Sequence, residues 1–195
     1  IWQPLIKADP LSLVFTSLQQ FDLAAMGRNA EALSELERSK TLVGHQVGDE
    51  RELYMALRLR NKANAAATWA QYSAVTEQDP FLQNVFALHA DKAKVLAALQ
   101  REFDDPASIH AAIRIAIWAD YFGDKDLTLA ALHKELIDNR EASTLLLWLP
   151  WKTDLRADSK FKDIVRELGL TDYWRSSGKW GDFCSPVGKD DFECH

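Results

Sequence analysis

The stretch from Asp105 to Asp138, DPASIHAAIRIAIWADYFGDKDLTLAALHKELID, constrains this chain more than any other. Asp105 offers a carboxylate to the free backbone N–H groups of a helix start, and Pro106 suits the first helical position. Ile109, Ile113, Ala116 and Ile117 then follow at helical spacing. Gly123 can take the left-handed conformation that ends a helix. Asp124 or Asp126 can cap a second helix, whose apolar stripe is Leu129, Leu132 and Leu136. Two short helices around a tight Gly turn make an antiparallel hairpin. A hairpin of this kind cannot bury both faces alone, so it calls for stacked neighbours. The expected fold is all-α, stacked antiparallel helix hairpins without a β-sheet.

The 195 residues allow one or two domains, and 47% hydrophobic residues suffice for a core that needs neither metal nor disulfide. The net charge of −6 lacks the basic footprint of a nucleic-acid binder. No apolar run approaches the roughly 20 residues of a membrane span. The densest, Leu145–Leu149, is far shorter, and the start carries no secretory signal. IWQPLIKADP reads as the end of a helix, and the chain as the C-terminal part of a longer protein, with the cytoplasm favoured over the periplasm.

Pro10 and Pro80 each follow an Asp and stand 70 residues apart, close to two units of a repeat of about 34. Two hairpins are expected between them. The first pairs Leu11–Met26, with Val14, Leu18, Phe21 and Ala25 on one face, with Ala30–Leu42, where Leu33 and Leu36 point inward. Gly27-Arg28-Asn29 is its turn and 43–49 a loop. The second pairs a helix from Glu50 to Arg60, burying Leu53, Met55, Ala56 and Leu57, with one from Asn64 to Glu77, offering Ala67, Tyr72 and Val75. Helices over Phe81–His89 and Asp91–Phe103 follow, then the 105–138 hairpin. Leu145–Leu149 reads as a short buried helix or a core-crossing segment. A terminal helix starts near Asp158 and buries Phe161, Ile164, Val165 and Leu168. The expected domains are a repeat region, 1–170, and an irregular aromatic arm, 171–195, that packs on it and frays at its end. Tyr173, Trp174, Trp180 and Phe183 would dock together.

The hairpins resemble tetratricopeptide repeats, whose motif sets large, small and aromatic residues in fixed order. The matching positions are Met55, Ala56, Leu59, Thr68, Tyr72 and Pro80 in one unit, and Ile115, Ala116, Ala119, Thr128 and Leu132 in another. In the first hairpin they are Met26-Gly27, Ala32 and Leu36. Ala replaces the motif's Gly, and its leading Trp is absent. The segment Leu155–Cys184 resembles the tail that closes many bacterial tetratricopeptide proteins, whose repeats often follow an adenylate cyclase or winged-helix domain. The resemblance implies a non-catalytic protein-interaction or scaffold module at the C-terminal end of a signalling protein, or alternatively a regulatory or dimerising segment acting on an upstream domain. It implies no cofactor. It also implies a concave groove for a peptide or partner protein, lined by Leu57, Arg60 and Asn61 of one hairpin and Ile113, Ile117 and Tyr121 of another. A homodimer stays open.

Other chemistry finds little footing. Cys184, Cys194 and His195 fall short of the four ligands of a structural zinc site. The cysteines read as free thiols in the cytoplasm, or as a disulfide outside it. RSSGKW at 175–180 lacks the upstream Gly of a phosphate loop and has Trp180 where that loop needs Ser or Thr. His89, His110 and His133 are scattered and read as helix-surface or satisfied core residues. Trp148, Trp151, Trp174 and Trp180 read as a covering for the end of the array before a ligand cage. The alternating charges of the helix after Asp158 read as a solvated face.

Overall fold

The structure, a computed structural model, describes residues 2–42, 50–59, 65–72, 79–108, 111–140, 144–151 and 153–195. The expected loop at 43–49, the turn at 61–64, Val75 and Ile109 fall outside the described residues. Two compact units divide the chain: Ile1–Arg101 with Trp148–Pro150, and Glu102–Leu147 with Trp151–His195. Among the described residues no helix is long and apolar enough to cross a membrane.

The first unit is built of paired helices. It contains α1 (Trp2–Ala8), α2 (Leu13–Ala25), α3 (Asn29–Leu42), α4 (Glu50–Leu59), α5 (Ala65–Gln71) and α6 (Pro80–Leu88), and then α7 (Lys92–Asp104), whose last turn belongs to the second unit. Neighbours pack in sequence order from α1 to α5. Gly27, at φ 74°, ends α2. Around it the Arg28 N–H bonds the Leu23 carbonyl at 2.8 Å and the Gly27 N–H bonds Ala24 at 3.0 Å, the paired bonds of a Schellman stop. Ala32, Leu36, Leu53, Met55 and Ala56 are fully buried, as their helical spacing requires. The α2 face differs from expectation. Val14 is exposed, and Thr16, Gln20 and Leu23 are buried instead. Thr16 can sit inside because its hydroxyl is satisfied: it donates to the Ser12 carbonyl and accepts from Arg38 Nη2, both at 2.8 Å. Ala67 is likewise exposed, while Trp69 is buried against Phe86 and His89.

The second unit contains the hairpin that most constrained the sequence. Its helices are α8 (Ala112–Phe122) and α9 (Lys125–His133). Gly123, at φ 78°, ends α8 with the same pair of bonds, Asp124 N–H to Ala119 at 2.8 Å and Gly123 N–H to Asp120 at 3.0 Å. Asp124 caps α9 by accepting from the Leu127 N–H at 3.0 Å. Ala116, Ala119, Thr128, Ala131 and Leu132 are completely buried where the two helices pack. The start of α8 corrects the sequence reading. Asp105 accepts from the Ala107 N–H at 2.8 Å and closes a turn over 105–108, so the helix begins only at Ala112. A short polar side chain that captures a nearby N–H competes with helix initiation.

After α9 the backbone continues as a π-helical stretch, Lys134–Asp138. A 3-10 helix, Thr144–Trp148, buries Leu147. Then come α10 (Thr153–Arg156), α11 (Ser159–Glu167) and α12 (Leu170–Ser177). Phe161, Ile164 and Val165 of α11 are buried at the expected spacing.

The end of the chain corrects three expectations. Tyr173 and Trp174 lie on a regular helix, α12, rather than in an irregular arm, and Tyr173 faces solvent at 60% exposure. The supposed frayed end is an antiparallel hairpin of β1 (Cys184–Val187) and β2 (Asp191–Cys194), so the otherwise helical fold carries one small sheet. The cysteines are not free thiols: Cys184 pairs with Cys194 in the register and is joined to it by a disulfide. The hairpin is anchored by Phe192, which is fully buried beside Trp174 and Trp180. Lys162 and Arg166 of α11 approach the Phe192 ring from cation–π distance, each at 5.3 Å.

Two outcomes follow for stability. Leu132→Ala should destabilise the chain by about 2–5 kcal/mol, because the cavity opens at the tightest part of the α8–α9 contact, measurable by denaturant unfolding. Reducing the disulfide, whose partners are 10 residues apart, should release about 2–3 kcal/mol of constraint on the unfolded chain. Equal melting temperatures with and without reductant would show that the bridge does not hold the hairpin.

Candidate functional site

The second unit carries a cleft of about 530 Å³ between α9, the π-helical stretch, α11 and Phe103. That volume lies within the usual range of ligand clefts, about 300–1,000 Å³. Its apolar surface comes from Leu129, Ala130, Ile164 and Phe103. Leu129 and Ile164 are buried, whereas Ala130 is exposed. Both walls arise from ordinary helical spacing. Asp126, Ala130 and His133 recur along α9 at i, i+4 and i+7, and Lys160, Asp163, Ile164 and Glu167 recur along α11.

Ion pairs fasten one end of the cleft. Lys125 bonds Asp158 at 2.7 Å and Lys160 bonds Asp126 at 2.6 Å, so the starts of α9 and α11 are cross-linked. Asp158 also caps α11, accepting from the Lys160 N–H at 3.0 Å. The hydrogen bond from Lys125, followed by the one from the Lys160 N–H, holds the Asp158 carboxyl below its ordinary value, and the Lys125 ammonium is raised by the same pair. Behind α11, Asp191 of the hairpin receives Lys162 at 2.7 Å and Arg166 at 3.0 Å. The Lys162 hydrogen bond leads in depressing its carboxyl too.

The other end is organised around His133. Nδ1 lies 3.7 Å from Asp138 and Nε2 lies 3.3 Å from Glu167. The π-helical turn makes the first contact. In an α-helix, residues five apart point in different directions, but a π-turn brings i and i+5 onto one side. The turn is closed by the Asn139 N–H on the Lys134 carbonyl at 2.8 Å. Lys134 is turned toward Phe103, 3.4 Å from its carbonyl and 5.0 Å from its ring centre. Among the described residues that line the cleft, none has a hydroxyl or a thiol. Among the described residues no His, Cys, Asp and Glu group is arranged to hold a metal. The cleft offers hydrogen-bond acceptors, charge and an apolar floor.

Four of the residues expected to line a groove are described, and they lie apart from this cleft. Leu57 is buried on α4 in the first unit, and Arg60 and Asn61 fall outside the described residues. Ile113, Ile117 and Tyr121 share one face of α8 in the second unit, where Ile117 is buried and the other two are half-buried. Tyr121 stacks edge-on against Phe122 at 5.0 Å and Trp118 at 6.0 Å. Leu57, Ile113, Ile117 and Tyr121 do not line the cleft. The sequence did hold a signal for it. The polar stripe Asp126–Ala130–His133 has a small residue at its middle, and α11 repeats a mixed-charge stripe that reads as a solvated face when taken alone.

The pH dependence follows from the depressed carboxyls. A group whose folded pKa lies below its unfolded value, about 3.9 for Asp, contributes stability above that value and loses it as pH falls through the folded one. Melting temperature should therefore fall on acidification below about pH 4. Asp158→Asn keeps the helix cap but removes the charge, so this variant should show a shallower acid limb than the parent in melts across pH. An unchanged limb would show that the Lys125–Asp158 pair adds nothing.

Comparison with known proteins is brief: no family model, no curated protein and no solved structure matches this chain.

Proposed function

We propose that this chain is a non-catalytic binding module of tetratricopeptide type, and that it holds a peptide segment of a partner protein in the cleft between α9 and α11. The observation that carries the reading is the cleft itself, with its apolar floor and charged ends. The tetratricopeptide assignment draws support from the α2–α3 and α8–α9 hairpins. Both turn on a left-handed Gly, and Ala32, Ala116, Ala119 and Ala131 are fully buried, as close helix contact requires. The proposal keeps the expected interaction function and assigns it to the second helix of the hairpin instead of the expected first-helix groove. The reading also moves the protein to an oxidising compartment, because a buried structural disulfide forms and persists there.

Ala130 permits a direct test, because it is exposed in the cleft on a helix. A bulky side chain there fills the cleft without entering the core. The wild-type chain and an Ala130→Trp variant of equal melting temperature are each screened against a displayed random dodecapeptide library. The wild type should enrich peptides whose affinity falls by about tenfold or more on the variant, a loss of roughly 1.4 kcal/mol. If no peptide is enriched, or enrichment ignores Ala130→Trp, the reading fails.

A further inference from the structure

The two ends of the cleft are unlike in charge compensation. Four carboxylates line it, Asp126, Asp138, Asp163 and Glu167, against the two ammonium groups of Lys134 and Lys160. Asp126 and Asp163 are each held by a permanent cation, Lys160 at 2.6 Å and Arg166 at 2.9 Å. Asp138 and Glu167 instead share the imidazole of His133, at 3.7 and 3.3 Å. Both carboxylates are well exposed, with 60% and 48% of their side-chain surface accessible. They stand on different elements, one on the π-helical stretch and one at the end of α11, so only the fold brings them to the same ring. The nearby Lys134 ammonium is directed to the Phe103 carbonyl and ring. A site results in which two carboxylates converge at one end of an apolar-floored cleft, and their mutual partner is the His133 imidazole.

We propose that the occupant of the cleft is a protein segment anchored by one arginine, whose guanidinium seats between Asp138 and Glu167. This rests on the cleft being the binding site. Charge complementarity selects a cation. Two carboxylates that meet one imidazole favour a planar donor fork over a point charge, since a guanidinium can bond two carboxylates at once and lay its face on a ring. The arginine's apolar stem has Ala130 and Phe103 to cover. The π-helical turn supports a dedicated arrangement: it is an uncommon backbone form, frequent at functional sites, and it is what sets Asp138 beside His133.

The test uses the complete 195-residue chain and the dodecapeptides enriched in an Ala130-dependent way. Each is synthesised with its arginine intact or replaced by citrulline, a neutral isostere, and titrated calorimetrically. Expected are a shared arginine among the peptides and a loss of about tenfold on citrulline substitution, the scale of a charge-assisted hydrogen bond partly open to water. On an Asp138→Asn, Glu167→Gln double variant the arginine peptide should bind about tenfold more weakly, and the citrulline penalty should largely vanish. That non-additivity identifies the pairing and separates it from general attraction to an acidic protein. Ala130-dependent peptides that lack arginine, or that bind equally well with citrulline, overturn this inference and leave the binding-module reading standing. Absence of any Ala130-dependent peptide overturns both. Should the double variant melt below the parent, Glu167→Gln alone and the citrulline comparison on the wild type give the same decision.

Discussion

Ala116 and Ala119 on α8, and Thr128 and Ala131 on α9, have no exposed surface. Small side chains at that contact let two helix backbones approach closely, and the larger Ile115, Leu129 and Leu132 then fill the space on either side. The arrangement needs the chain to reverse within two residues. Gly123 makes this feasible because a left-handed residue satisfies two carbonyls at the end of α8 and delivers Asp124 directly to the cap of α9. The position of α9 decides the rest of the second unit. It presents Lys125 and Asp126 to α11, and it sets the floor of the cleft with Leu129 and Ala130.

The same α11 is tied on its other side by different physics. Lys162 and Arg166 reach the hairpin, bonding Asp191 with their charges while also lying over the Phe192 ring. Exposed ion pairs contribute little one at a time. Here they sit around a completely buried aromatic ring, which supplies the larger, non-directional part of the docking. A two-stranded hairpin is marginal alone in water. Docking of Phe192 and closure by the disulfide are what make eleven terminal residues a folded element.

The cleft departs from the regularity around it. The π-helical stretch interrupts a helix that could have continued, and Glu135 is buried within it, receiving the Asn139 side-chain amide at 3.4 Å. This uncommon local geometry coincides with a gathering of charged and imidazole side chains. In the first unit some polar side chains serve packing. Arg38, for example, binds Glu35, Thr16 and the Pro10 carbonyl and so fastens α3 to the start of α2.

By itself the sequence determined what depends on near neighbours. Helical periodicity placed Leu36, Leu53, Leu132, Phe161 and Ile164 inside, Gly27 and Gly123 ended their helices, and Asp124 capped the next. Each of these follows from bonds and faces within a turn or two of chain, where residue type decides the outcome. Local cues misled at Asp105, whose carboxylate closed a turn instead of starting a helix, and on α2, where Val14 is exposed and Thr16 and Gln20 are buried. The tertiary structure alone decided what joins distant residues. His133 meets Glu167 and Lys160 meets Asp126 across 34 residues, and Phe192 finds Trp174. Such pairs have no periodic signature, because packing selects them among many sterically equivalent partners, and so the helical framework was readable in advance, the disulfide stood as one of two alternatives, and the β-hairpin and the cleft were decided by the tertiary structure.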